Sequence, residues 1–190
     1  MKRVLLFTIA CLLLVTGSFA ESRKKSKKGK VKAAVVVNDK EINWMTLDDV
    51  QVAMKKQPRK VWFDVYTDWC GWCKRMDKTT FSNPNVIRYM NEHFYAVKLD
   101  AEQKTDIRFM GKMYPASPAE RTHPFAVELL KNSMSYPSSV FMEENFQTPQ
   151  VIPGYQDVKT MELILKYLAE GKYKKVPFQE YQSSFIPTWL

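Results

Sequence analysis

The sequence predicts an α/β domain, and three observations lead there. A mostly apolar run, residues 61–66 within "KVWFDVYTDWC", has the composition of a central strand covered on both faces. Helix-patterned segments separate it from a second strand-like run, "FYAVKLD", at residues 94–100. Further on, "PSSVFM" and "QTPQVIPGY" read as two antiparallel strands around a Glu144-Asn145 turn. A chain of 190 residues has room for one domain with a full hydrophobic core.

In chain order, the first twenty residues have the parts of a secretory signal. Lys2 and Arg3 precede an apolar run over residues 4–15, and Ser18-Phe19-Ala20 is small at the positions a signal peptidase reads. The mature chain is expected to start near Glu21, exported and soluble, because no other segment approaches the ~20 apolar residues of a membrane span. Cys11 lies inside the apolar run and leaves with it; Thr8-Ile9-Ala10 before it is a poor lipidation box. Cys70 and Cys73 are then the two cysteines of the mature protein. In an oxidising compartment such as the periplasm, a disulfide between them can persist.

The formal net charge of +9 suggests a polyanion partner until its distribution is considered. Residues 23–32, "RKKSKKGKVK", hold seven basic side chains, whereas from Ala33 onward 20 Lys/Arg face 19 Asp/Glu. The basicity belongs to a tail, residues 21–40, and not to the domain over residues 41–175, so nucleic acid is not the expected partner. Such a run reads first as a solvated, flexible linker, and contact with an anionic surface is its functional alternative.

Within the domain, "AAVVVN" (residues 33–38) reads as a short edge strand, followed by a helix over residues 46–56. Leu47, Val50, Val52 and Met54 fall toward the buried side of that helix, and Pro58 stops it. Residues 70–78 are helix-compatible, so the central strand delivers Cys70 to a helix start. Asn83-Pro84 begins the next helix with a capping side chain and a first-turn proline, and Val86, Ile87, Met90 and Phe94 recur at helical spacing. Between Asp100 and Tyr136 lies a proline-interrupted stretch that ends in a helix over residues 125–131. Pro149 places its strand at a sheet edge. An amphipathic helix over residues 158–169 turns Met161, Ile164, Leu165 and Leu168 inward and stops at Gly171. Residues 176–190 form a C-terminal extension.

The chemistry concentrates in "WCGWCK", residues 69–74. Haem attachment requires His after the second cysteine, and Lys74 stands there. For zinc, the remaining soft donors are His93 and His123, 30 residues apart, whereas a finger spaces them by about three to five. Each histidine reads instead as a surface or helix-end residue; neither a metal nor another cofactor is expected. A purely structural bridge across so short a loop contributes only roughly 2 kcal/mol. A redox dithiol suits the setting better: at a helix start, backbone N–H groups and the helix dipole stabilise a Cys70 thiolate and make it the nucleophile. Cys73, one turn inside, is placed to resolve a mixed disulfide and is expected to be the less exposed. Gly71 permits close approach of a substrate, and Trp72 adds apolar surface.

"FDVYTDWCGWCKRM", "NEHFYAVKLDAE", "SYPSSVFMEENFQ" and "PGY" together resemble the thioredoxin superfamily. The resemblance covers residues 60–172 and is to exported bacterial thioredoxin-like proteins related to the C-terminal domain of the DsbD electron transporter. It implies a thioredoxin-like fold, a central mixed sheet flanked by helices, with a helical insertion before a cis-proline at Pro137. It implies that Cys70 attacks, that Cys73 resolves, and that Asp64 is a buried acid able to exchange a proton with Cys73. Trp69, Gly71, Trp72, Tyr136 and Pro137 are the implied substrate contacts. Ser138 stands where Thr is common, and the 100–136 stretch is longer than in compact relatives. The expected activity is thiol-disulfide oxidoreduction on protein disulfide or dithiol substrates, recharged by a membrane electron donor of DsbD type. The rival is a peptide-binding module of the same fold with its disulfide locked.

Overall fold

The computed structural model describes residues 40–189. The expected signal segment, the basic tail to Asp39 and the strand at residues 33–38 lie outside the described residues. Seven strands and six helices follow in chain order: β1 (Trp44–Met45), α1 (Leu47–Lys56), β2 (Lys60–Tyr66), α2 (Gly71–Thr79), α3 (Pro84–His93), β3 (Phe94–Asp100), β4 (Ile107–Phe109), β5 (Lys112–Tyr114), α4 (Pro124–Leu129), β6 (Ser138–Met142), β7 (Gln150–Pro153), α5 (Val158–Ala169) and α6 (Phe178–Ser184). Five strands form one mixed sheet in the order β1-β3-β2-β6-β7, and β4 and β5 form a separate hairpin. β1 and β2 run parallel to β3, while β6 runs antiparallel to β2 and β7 antiparallel to β6. This is the thioredoxin-like α/β fold that the resemblance implied.

β2 is the central strand because neither of its faces can meet water. Side chains alternate across a strand, and both sets are apolar. Val61, Phe63 and Val65 join Val97, Leu99 and Val140 in the core under α1, α4 and the hairpin. Trp62 joins Ala96 and Phe141 under α2, α3 and α5, which contribute Met76, Met90 and Leu165. Asp64 is the exception in this run, and its position decides the chemistry described below.

Local signals set the helix ends. Thr46 accepts from Asp49 N–H at 3.1 Å, Asn83 from Asn85 N–H at 2.9 Å with Pro84 in the first turn, and Asp157 from Thr160 N–H at 2.8 Å. Gly171 ends α5 with φ of 66°, in the left-handed region. β7 with its flanking Pro149 is an edge strand, as the proline requires.

Two details differ from the sequence reading. Val52 on α1 is 53% exposed, because Leu47, Val50 and Met54 form the stripe that packs on the core and Val52 lies off it. Among the described residues the sheet edge beside β3 is Trp44–Met45. The 100–136 insertion contains the β4–β5 hairpin as well as a helix, and that helix is Pro124–Leu129, capped by the His123 ring accepting from Phe125 N–H at 3.1 Å. His123 is thus a helix-end residue, but a buried one.

The C-terminal residues are clasped by a buried carboxylate. Glu162 on α5 is fully buried and accepts from Thr188 N–H at 2.7 Å, Trp189 N–H at 2.8 Å and Lys166 Nζ at 2.6 Å. Trp189 fills the space beside Tyr89 of α3, ring centroids 5.3 Å apart. Burial works against the charge of Glu162, but these donors hold its carboxyl below the ordinary range. Deleting residues 188–190 strands a buried charge with only Lys166, so the unfolding free energy should fall by about 3 kcal/mol. Urea denaturation measures this, and Glu162→Leu in the shortened chain should recover part of the loss.

Candidate functional site: the Cys70–Cys73 disulfide and its surroundings

β2 runs through Thr67 and Asp68 directly into α2, and Cys70 becomes the N-cap of that helix. Cys70 and Cys73 are joined as a disulfide with Cα atoms 5.3 Å apart. The Cys73 N–H points at Cys70 Sγ, 3.0 Å away. This donor would meet a Cys70 thiolate in the reduced protein, together with the positive end of the α2 dipole. Both cysteines are 4% exposed, so the expected difference in exposure between them is absent in the disulfide form. An N-cap in extended conformation tucks its side chain back over the first turn, which shelters both sulfurs alike.

The other expected site residues surround this bond to different degrees. The Tyr136–Pro137 peptide is cis. Tyr136 meets Trp69 edge-on at 6.0 Å. Trp69 and Trp72 are 57% and 55% exposed, and Trp72 rests against Tyr155 at 5.4 Å. Gly71 is exposed, and a Cβ there would meet nothing within 4 Å, so the folded chain itself does not require a glycine. Ser138 is buried and donates to Ser135 C=O at 2.7 Å, a local bond that holds the turn entering β6.

Asp64 is 2% exposed and sits on the sheet face that α2 covers, in register with Lys98 of β3 and Ser139 of β6. Its Oδ2 lies 3.3 Å from Lys98 Nζ, and its Oδ1 is buried without a hydrogen-bond partner among the described residues. Lys98 also donates to Asp77 on α2, so one ammonium serves two carboxylates. The rings of Trp44, Tyr66 and Phe81 stand 5.1, 5.3 and 5.8 Å from its nitrogen. Burial pushes the Asp64 carboxyl up to about 6; Lys98 opposes the rise and the Asp77 charge adds to it. Lys98 loses solvation as well, yet the two carboxylates raise its pKa above the ordinary value. Asp64 can therefore take up and release a proton near neutrality, which an exposed aspartate cannot do.

The sequence reading did not find Lys98, Asp77, Tyr155, Arg75, Arg121 or Glu102. The first left a trace, since Lys98 interrupts the apolar run of "FYAVKLD" and parallel pairing sets it beside Asp64. The others are brought in by the insertion, by the β7 exit loop or by the exposed side of α2. Among the described residues, no cluster of three His, Cys, Asp or Glu side chains is placed to hold a metal ion.

A C-x-x-C disulfide at the N-cap of the helix that follows the central strand of a thioredoxin-like fold supports a thiol-disulfide redox role in general. The family profile Thioredox_DsbH, described as "Protein of unknown function, DUF255", matches residues 31–170, and the chain belongs to this family. A 43-residue segment is 42% identical to the thiol:disulfide interchange protein DsbD of Pectobacterium atrosepticum, covering 23% of this chain and 8% of that protein. A 93-residue segment is 23% identical to human spermatogenesis-associated protein 20, covering 49% of this chain and 10% of that protein. The chain thus spans a tenth or less of the length of these curated relatives. A solved thioredoxin-fold protein from Helicobacter pylori superimposes with a TM-score of 0.53 at 16% identity, over 66% of this chain and 83% of that one, a likeness of fold.

The shared ammonium gives a test by carbon NMR of the Asp64 carboxyl. Its midpoint is expected near pH 6. Lys98→Met should move it up and Asp77→Asn down; a merely structural role for either residue would not separate the two in opposite directions. Because the folded-state pKa lies above the unfolded value of 3.8, the associated stability is present below about pH 4 and is lost as pH rises through 6. Across that window the urea midpoint of the native protein should fall relative to Asp64→Asn, by up to about 3 kcal/mol of unfolding free energy.

Proposed function

We propose that this chain is a thiol-disulfide oxidoreductase that acts after export, exchanging disulfides with protein substrates through Cys70 and Cys73. The observation that carries the reading is the disulfide at the start of α2, with the Cys73 N–H directed at Cys70 Sγ at 3.0 Å. In the reducing direction the Cys70 thiolate attacks one sulfur of a substrate disulfide, and the other substrate sulfur leaves as a thiolate. Cys73 then gives its proton to Asp64 and attacks Cys70 Sγ, which restores the Cys70–Cys73 bond and frees the second substrate sulfur. Two electrons pass from the protein to the substrate. An external dithiol must return them, and the similarity to a DsbD segment supports a membrane donor of DsbD type in that role. Export rests on the charged, apolar and small-residue pattern of residues 1–20. Salt-sensitive attraction of the basic run at residues 23–32 to an anionic surface is part of the same proposal.

The burial of both sulfurs favours one other reading, a binding module whose disulfide stays closed. Cys73→Ala separates the two. In the oxidoreductase this variant cannot resolve its intermediates, so Cys70-linked mixed disulfides with exported proteins should accumulate and collapse on adding dithiothreitol. A closed module would keep its partners without any such adduct. Equilibration of the native pair with dithiol buffers, followed by counting thiols by mass spectrometry, should be fully reversible. A potential near about −270 mV assigns the reducing direction and one near about −120 mV the oxidising direction.

A further inference from the structure

Two exposed tryptophans flank the disulfide, and each is held in place by an arginine and a tyrosine. On one side the Arg121 guanidinium lies over the Trp69 ring at 4.9 Å. Glu102 fixes this arrangement by accepting from Trp69 Nε1–H at 3.0 Å and from Arg121 Nε–H at 2.6 Å. Tyr136 closes the group from beneath. On the other side Arg75 lies over Trp72 at 5.2 Å and over Tyr155 at 5.7 Å, and the Tyr155 hydroxyl is tied to Thr79 Oγ1 at 3.0 Å. Rings braced in this way have little freedom left to lose, which makes them rigid anchors for a partner.

The charges around these anchors are unequal. The exposed side of α2 carries Lys74, Arg75 and Lys78, and its one acid, Asp77, is engaged by Lys98. Among the described residues Arg75 has no ion-pair partner, and the single carboxylate serving Arg121 is shared with Trp69. Against the four cations stand Asp68 and Asp100, which both act on Tyr66, Glu120 next to Arg121 in the chain, and the already committed Glu102. All four acids lie with the Trp69 half, so the excess of positive charge falls on the α2 half. A guanidinium stacked flat on a ring uses its face and keeps in-plane N–H donors for a carboxylate.

We propose that the two arginine-capped tryptophans form a recognition rim for protein segments in which acidic side chains flank the disulfide-bonded cysteine. The inference rests on the disulfide-exchange reading above and names its substrate class. The tryptophans take apolar surface next to the substrate cysteine, and Arg75 and Arg121 pair with carboxylates on either side. Lys74 and Lys78 add long-range attraction. The 100–136 insertion supplies Arg121 and Glu102, so one half of the rim exists because of it.

The test uses the reduced full-length protein and three peptides of one length, each carrying a central cysteine as its neutral 2-pyridyl disulfide. The cysteine is flanked by Glu, Gln or Lys. Cys70 attacks the peptide sulfur, 2-thiopyridone leaves, and Cys73 then releases the peptide thiol, so thiopyridone absorbance follows the first step. At low salt the Glu peptide should react about tenfold faster than the Lys peptide, and the ratio should shrink as salt screens the rim. With every rate taken relative to the Gln peptide, Arg75→Gln combined with Arg121→Gln should remove most of the preference, leaving the small part that Lys74 and Lys78 supply, and Arg75→Glu should lower it further than Arg75→Gln does. Circular dichroism confirms that each variant is folded. Equal rates for the Glu and Lys peptides, or a preference undiminished by the double substitution, would overturn the proposal while leaving disulfide exchange intact. No reaction even with dipyridyl disulfide would remove the exchange reading and this proposal with it.

Discussion

The site depends on β2 having no face free for solvent. Val61, Phe63 and Val65 on one side and Trp62 on the other are 0% exposed, so the strand can neither slide nor rotate without opening one of two cores. A one-residue slip would exchange the two faces and put Asp64 into the wholly apolar cluster under α1 and α4. Because β2 is pinned, the turn at Thr67–Asp68 delivers Cys70 to the N-cap of α2 in a fixed pose. The Cys70 N–H to Thr67 C=O bond at 3.1 Å ties that pose to the strand end. The helix in turn presents its unpaired N-terminal donors to sulfur, which is what makes a cysteine there chemically different from one elsewhere.

The same burial sets the electrostatics beneath the disulfide. A carboxyl in the centre of a covered strand must be either neutral or paired. Asp64 is held between the two conditions, because burial favours its neutral form and its partner Lys98, 3.3 Å away, is bonded more closely to Asp77. A lysine serving Asp64 alone would stabilise its ionised form and lower its pKa; a lysine absent altogether would leave the acid protonated over a wider pH range. Burial raises the Asp64 carboxyl, and an ammonium divided with a half-exposed carboxylate opposes that rise only in part, which leaves the buried acid where it can both accept and return a proton. The aromatic rings around Lys98 contribute to this balance by favouring the cation in a place that is costly to desolvate.

Much of this was legible from residue patterns. Helices α3 and α5 announce themselves by Asn83-Pro84 and Gly171, whose roles are local and need no tertiary information. The central strand is equally plain, since a short apolar run that leads straight into a helix start fits a strand covered on both faces. The role of Cys70 as a helix cap follows from strand and helix meeting at the motif. The hairpin over residues 107–114 was not legible, because its strands are three residues each and its turn uses Met110 and Gly111 at positive φ instead of a recognisable Asn-Gly pair. Val52 misled because helical spacing alone cannot distinguish the centre of a buried stripe from its margin. The Lys98 network needed the parallel register of β2 and β3, which joins positions 34 residues apart, and no local pattern encodes that distance.

The insertion changes the meaning of the exposed tryptophans. An indole that projects freely beside a disulfide would be an apolar surface of variable shape, and ordering it would work against binding. Trp69 is instead pinned by Glu102 through its N–H and by Arg121 through its face, and Trp72 by Arg75 and Tyr155. Glu102 lies two residues after the end of β3, and Arg121 two residues before His123, whose N–H is bound to Ala101 C=O at 2.7 Å. The insertion is thereby fastened to the sheet at the point where it must place its arginine. Loop length added at that position yields a fixed guanidinium and not merely a longer loop. Both sulfurs are buried while the indoles beside them in the chain are exposed and braced. On the recognition proposed above, a partner would have to present its own disulfide on a protruding segment, and the residues next to that disulfide would decide how well it fits.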